Sequence, residues 1–183
     1  MTLTAPPLTL KDYLALPEGG PRYELIHGDL YMLPSPSKIH QRSIRRIVYF
    51  IEAYLDENDV GEVFFSPFDV ILEEFSAVQP DILFVADGNP DAADDAVHGA
   101  PDLVVEVLSP SNAQYDLVTK RRLYQNHKVK EIWIVDPKQR TVLIDRRGPD
   151  GYAPELLLQE GDALTTPQLP GLEIRVGSIF VRR

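Results

Sequence analysis

The chain has 183 residues, 44% hydrophobic and 25% charged, which is the usage of an ordinary globular protein and excludes a disordered or fibrous polymer. Its 16 prolines and 11 glycines favour short elements joined by turns over a helical bundle, and with no cysteine there is no disulfide framework, thiolate nucleophile or Cys-type zinc site. A formal net charge of −10 excludes a protein that coats nucleic acid indiscriminately, so any phosphate binding must be local.

No apolar stretch approaches the ~20 residues of a membrane-spanning helix, and Met1–Pro7 lacks the basic and apolar regions of a signal peptide. The expected location is the cytoplasm, with no membrane contact. Any metal would be held by carboxylates, carbonyls, water or the four histidines, a donor set suited to hard cations such as Mg²⁺ or Mn²⁺. No repeat or linker interrupts the chain, and one domain over residues 1–183 is expected.

The first element is a short helix beginning near Thr9 and stopped by Pro17 and Gly19-Gly20. Tyr23–His27 and Asp29–Leu33 then flank Gly28 as a hairpin. Beyond Pro34–Ser37, the segment from Lys38 to Leu55 places Ile44, Ile47, Val48, Ile51 and Leu55 at helical spacing, with Arg42, Arg45 and Arg46 forming a basic flank. Glu62–Phe65 and Phe68–Leu72 read as strands interrupted at Ser66-Pro67, and Asp81–Val85 as a strand that follows Pro80. The stretch from Ala86 to Ala100, with Asp87, Asp91, Asp94 and Asp95, reads as a mobile acidic loop.

Asp102–Leu108 is apolar on both faces, the pattern of a central strand covered on both sides. Ser111 with Gln114 resembles a capping box that opens a helix from about Ala113 to Asn126. Strands follow at Glu131–Val135, Thr141–Asp145 and Glu155–Leu158, and Leu172–Val176 is a peripheral strand. The expected fold is α/β, built on a mixed sheet.

Glu106 is the anomaly, a carboxylate inside an apolar central strand, where an unpaired charge costs several kcal/mol. It requires a cation. On a helical wheel Lys120 falls within the apolar stripe, between Leu123 and Tyr124, with Asp116 one turn away to orient it. One reading is a structural Glu106–Lys120 pair that ties strand to helix. The other is a metal site: Asp81, at the head of its strand, would stand beside Glu106 as the close carboxylate pair that divalent cations relieve. In that site Asp81 and Glu106 hold Mg²⁺, the carbonyl of Val107 completes the shell, and Lys120 positions or deprotonates the attacking water. Trp133 and Tyr124 are expected in the core.

The run Tyr23–Asp29 (YELIHGD), the pair Pro80-Asp81, the string Pro101–Ser111 (PDLVVEVLSPS), then Asp116, Lys120 and Tyr124, and finally Glu131–Pro137 (EIWIVDP) carry a resemblance. In this combination the chain resembles the Uma-type restriction-endonuclease family, placed in the PD-(D/E)XK nuclease superfamily, from about Leu8 to Val176. The resemblance implies a restriction endonuclease-like mixed sheet flanked by helices and Mg²⁺-dependent cleavage of DNA phosphodiester bonds. Asp81 matches the first metal ligand, Glu106 the second, and Lys120 a displaced catalytic lysine; the superfamily's usual lysine position, two residues after the acid, is Leu108 here. Glu24 matches an early acidic residue of the family that joins the catalytic set. His40 matches a histidine at the start of the basic helix, suited to contact phosphate or water, and Arg42, Arg45 and Arg46 are placed to track a DNA backbone.

Two other classes fit parts of the pattern. A non-catalytic interaction module on the same fold would keep Glu106–Lys120 as a structural pair, and the charge of −10 favours it. A two-carboxylate glycosidase would use Asp81 and Glu106 but leaves Lys120 unexplained. Two-strand cleavage needs two sites, and the apolar C-terminal strands offer a surface for a homodimer.

Overall fold

The computed structural model describes residues 6–17, 19–93, 95–109 and 115–181. The capping-box residues Ser111 and Gln114 lie outside them. Among the described residues, thirteen strands and three α-helices make a mixed α/β fold.

The main sheet has the order β10-β9-β8-β7-β6-β3, with β11 also paired to β9. Its central strands are β6 (Ile82–Ala86), β7 (Leu103–Val107) and β8 (Glu131–Asp136), flanked by β3 (Gly61–Phe65) on one side and β9 (Thr141–Gly148), β10 (Gly151–Tyr152) and β11 (Leu156–Leu158) on the other. Only β7 and β8 run parallel, because the chain between them crosses over as a helix. All five residues of β7 are buried.

A second sheet, absent from the sequence reading, has the order β2-β1-β5-β4. It joins the hairpin β1 (Tyr23–Ile26) and β2 (Asp29–Met32) to β4 (Val70–Glu73) and β5 (Ser76–Val78). In the hairpin turn His27 and Gly28 both have positive φ, 52° and 85°, the two-residue geometry that follows the strand twist. A Cβ on Gly28 would lie 2.3 Å from Pro7 Cβ, so the turn also needs the missing side chain.

Alternation assigns the layers. Leu103, Val105 and Val107 of β7 face a core with Ile44, Ile47, Val48 and Ile51 of α2 (Lys38–Leu55), whereas Val104 faces a second core with Leu123, Tyr124, Ile26, Val70 and Val78. Glu106 shares the face of Val104. A small third core joins Tyr13 of α1 (Leu10–Leu14) to Leu25 and Ala77 on the outer face of the second sheet. The N-cap of α1 is Thr9, in a capping box with Asp12.

Three expectations are corrected. The helix before β8 is not uniformly α: Tyr115–Lys120 is a π-helical turn, followed by α3 (Arg121–Asn126). The acidic loop is not slack, because Ala96 and Val97 are buried, Val97 bridges Val70, and the Asp91 carboxylate accepts from Ala100 N at 3.0 Å. Asp102 pins the loop further, accepting from Ala86 N, Asn89 and Lys130. The C-terminal strands β12 (Ala163–Thr166) and β13 (Leu169–Arg175) offer no spare apolar face: Leu164, Leu169, Leu172 and Ile174 are packed in the α2-side core of the same chain. Among the described residues no helix is long and apolar enough to cross a membrane.

Candidate active site

The site forms where the end of β7, the head of β6, the start of α2 and the π-helical turn meet the inner face of β1. Each element delivers at least one carboxylate or cation. Glu24 and Ile26 point from β1 towards the main sheet, Glu106 points from β7 towards β1, and Asp116 and Lys120 are the two buried residues of the π turn.

Lys120 lies between the two glutamates, its Nζ 2.6 Å from Glu106 Oε1 and 2.9 Å from Glu24 Oε1. Its side chain is 3% exposed, and those of Glu24 and Glu106 are 0% and 3% exposed. Tyr124 Oη donates to Glu106 Oε1 at 2.6 Å, and Tyr115 Oη donates to Glu24 Oε2 at 3.0 Å. Gln79 N donates to Glu24 Oε1 at 2.8 Å, and its side-chain amide bonds Asp69. Asp81 precedes β6 by one residue; its Oδ2 accepts from Val107 N at 2.7 Å and stands 3.0 Å from His40 Nε2. Val107 thus meets the site through its amide. The Nδ1 of His40 is buried without a partner.

Sequence reasoning therefore placed Glu24, Asp81, Glu106, Lys120 and His40 in one locality, and the structure brings all five together. Asp81, Glu106, Lys120, His40, Asp116 and Arg22 line a cleft of about 50 Å³, room for a few waters or a small hydrated ion. The basic flank of α2 does not stay together. Arg46 turns inward, donates from Nε to Ser178 O at 3.1 Å and stacks over Phe50 at 4.7 Å, so it is held as a core strut and does not face a DNA backbone. Arg42 and Arg45 line a separate groove next to the cleft.

The residues missed from the sequence are Tyr115, Gln79 and Arg22, and the polar role of Tyr124. Tyr124 is fully buried, as its place in the apolar stripe implies, but a buried phenol needs a partner, and that requirement was the available signal. Arg22 lines the cleft, and among the described residues no carboxylate lies within 4 Å of its guanidinium.

The electrostatics are those of a crowded anion site. Burial, followed by repulsion from Asp81, Asp116 and Glu24, pushes Glu106 well above the ordinary carboxylate range despite the pull of Lys120. Burial likewise pushes Asp116 up to about 7, again against Lys120 and with Asp81 and Glu24. Burial alone would lower Lys120, but Glu106 and Glu24 outweigh it and hold the ammonium well above its usual value.

Asp116 supplies a pH test. Its carboxyl is held near 7 when folded against 3.8 when free, so the folded state binds its proton more tightly and this group's contribution to stability falls as pH rises from about 4 to 7, then stays low. Asp116→Asn should therefore raise stability in metal-free buffer by roughly 2–4 kcal/mol at pH 8 and by much less at pH 5. Urea melts at the two pH values check this; an equal change at both would show that no ionisation cost is stored there.

Four carboxylates around one lysine leave excess buried negative charge, the condition a divalent cation relieves. The donor set fits: Asp81 and Glu106 are hard oxygen ligands at a cleft open to water, and Mg²⁺ commonly takes one or two carboxylates with waters and substrate phosphate. Among the described residues no three His, Asp or Glu side chains converge as a ready-made cage, so water, backbone and substrate oxygens would complete the shell.

Residues 10–177 match the Uma2 family, described as "Putative restriction endonuclease". The chain belongs to the Uma2 family. Its fold is also that of a protein from Anabaena variabilis described as a "putative nuclease belonging to DUF820", whose crystal structure superimposes with a TM-score of 0.81 at 22% identity, over 95% of this chain and 98% of that one. No curated protein matches the chain. Within the Uma2 fold, the acidic cleft described above lies on the strands that the sequence motifs span.

Proposed function

We propose that the cleft is the active site of a Mg²⁺- or Mn²⁺-dependent endonuclease that hydrolyses DNA phosphodiester bonds. The observation that carries this reading is that Lys120, held by Glu24 and Glu106, stands at a water-accessible cleft that Asp81, Glu106 and Asp116 line together, in a chain of the Uma2 family. Asp81 and Glu106 are the residues that would hold the cation, and the carbonyl of Val107 would be a further ligand. Bound there, Mg²⁺ would supply charge for the phosphate oxygens and acidify water.

The chain's own groups do the rest. Lys120 stays protonated, since its ammonium is held well above its usual value, so it orients water and offsets charge developing on phosphate; it does not take the proton. Tyr124 and Glu24 fix where that ammonium stands by bonding its partner and itself. Arg22, at the cleft wall with no carboxylate partner among the described residues, is placed to clamp the phosphate, and His40 fixes the carboxylate of Asp81. Trp133 is fully buried in the α2-side core, so it lines no sugar-binding groove.

One specific observation favours the non-catalytic alternative. Lys120 is already satisfied by two glutamates and almost fully buried, as a structural strut would be. Incubation of supercoiled plasmid with the protein and Mg²⁺ or Mn²⁺ separates the readings. Nicking that EDTA stops, and that Arg22→Ala slows about 10- to 100-fold without lowering stability, supports the nuclease. Intact plasmid under both metals supports the strut.

A further inference from the structure

Beside the acidic cleft lies a groove of the opposite charge that the cleft chemistry does not use. Lys38, Arg42 and Arg45 of α2 line it together with Phe65, over a floor of Ile44 and Val48, and it encloses about 540 Å³. That is within the ~300–1,000 Å³ of sites that take a molecule of nucleotide size. Phe65 ends β3 and is 54% exposed. Alternation along β3 turns Val63 and Phe65 to the α2 side and Phe64 to the opposite core. The groove and the cleft adjoin, since Ser66 follows Phe65 and His40 stands between Lys38 and Arg42, and both Ser66 and His40 line the cleft.

The charges in this groove are uncommitted. Among the described residues, Lys38, Arg42 and Arg45 have no carboxylate within 4 Å, and the three line one groove within about two turns of α2, so their fields add there. Three unpaired cations in a chain of net charge −10 mark a local site for an anion chain. The exposed ring narrows the occupant. In a duplex the base faces are stacked on one another, so a side-chain ring enters a paired step only by unstacking and kinking it, whereas a nucleotide that is unpaired or at an open end offers its face without that cost.

We propose that this groove binds an unpaired stretch of DNA, with Phe65 stacked on a base and Lys38, Arg42 and Arg45 on the flanking phosphates, and leads that strand into the cleft. The destination rests on the nuclease reading; the binding does not. The substrate class is then DNA with a single-stranded segment, a frayed end or a flap, and not uninterrupted duplex.

The test is fluorescence anisotropy of labelled oligo-dT and of a blunt hairpin duplex in EDTA, where neither is cut. The wild type should prefer oligo-dT. Phe65→Ala should weaken oligo-dT binding about 5- to 150-fold, the span for losing one stacked base, and change duplex binding less than about twofold. Phe65→Trp should keep the affinity, and its indole fluorescence should be quenched by oligo-dT while the buried Trp133 is silent. Arg42→Ala with Arg45→Ala should weaken both ligands and lower the slope of log affinity against log salt for oligo-dT by about 1.4.

Equal effects of Phe65→Ala on the two ligands, an unchanged oligo-dT affinity, or a preference for blunt duplex would each overturn the proposal. Cleavage with Mg²⁺ added separates it from the nuclease reading. A protein that stacks oligo-dT through Phe65 and cuts nothing keeps the groove and loses the nuclease; one that cuts while Phe65→Ala treats both substrates alike keeps the nuclease and loses the groove.

Discussion

Calorimetric titration of Mn²⁺ into the wild-type protein should show binding that Asp81→Ala and Glu106→Ala each abolish, and both variants should lose about three orders of magnitude or more of any DNA cleavage. The expectation follows from charge. The cleft gathers Asp81, Glu106 and Asp116 against Lys120 and His40, with Glu24 buried behind Lys120, and Glu106 and Asp116 are displaced upward by burial and by their neighbours' repulsion. A divalent cation is the ligand that relieves this, and it needs no knowledge of the substrate sequence. Removal of either carboxylate takes away both a ligand and part of the field that draws the ion in. Lys120 keeps its pair with Glu24 in Glu106→Ala and the like-charge repulsion falls in both variants, and circular dichroism of each variant checks that it is folded. Binding that survives both substitutions would overturn the metal assignment, and no binding to the wild type even with a DNA oligonucleotide present would favour the structural reading of the pair.

Lys120→Met should lower stability at pH 7 by about 3–5 kcal/mol, the cost of stranding a buried charge whose partner is gone. Here two charges are stranded, Glu24 and Glu106, at 0% and 3% side-chain exposure. The loss should shrink on acidification. Glu106 is already held above the ordinary range in the folded state, so without Lys120 it protonates more readily still, and the folded variant gains stability relative to the wild type as pH falls towards 5. Adding Glu106→Gln to Lys120→Met should recover part of the loss, a non-additivity that reports direct contact. Urea denaturation of the single and double variants at pH 5 and 7 measures all three terms. A loss under about 1 kcal/mol, typical of an exposed pair, would show that the triad is solvated and not a buried network.

Much of the fold is legible because it is locally written. The i, i+3, i+4 spacing of Ile44, Ile47, Val48 and Ile51 marks α2, and the doubly apolar run of β7 marks a strand covered on both faces. The same local signals exposed the candidate site: a glutamate inside β7 has no solvent to face, and a lysine within the stripe of the next helix has no solvent to reach. The second sheet was not legible. Its strand β5 is three residues long and fully buried, and it is held by pairing with β1, about 50 residues earlier in the chain, so no alternation announces it.

The sequence by itself determined the α/β class, the central strand with its buried glutamate, the inward lysine, and through its motifs the family. Only the tertiary structure decided that Glu24 reaches across from the second sheet to share Lys120 with Glu106, that Tyr115 and Gln79 hold Glu24, and that Arg46 leaves the basic flank for a carbonyl of the C-terminal turn. It also decided that β12 and β13 turn Leu164, Leu169, Leu172 and Ile174 into the core of the same chain. The physical reason is one of range. Periodicity fixes which way a side chain leaves its own element, whereas its partner is set by how elements separated by tens of residues pack, and no local pattern encodes that distance.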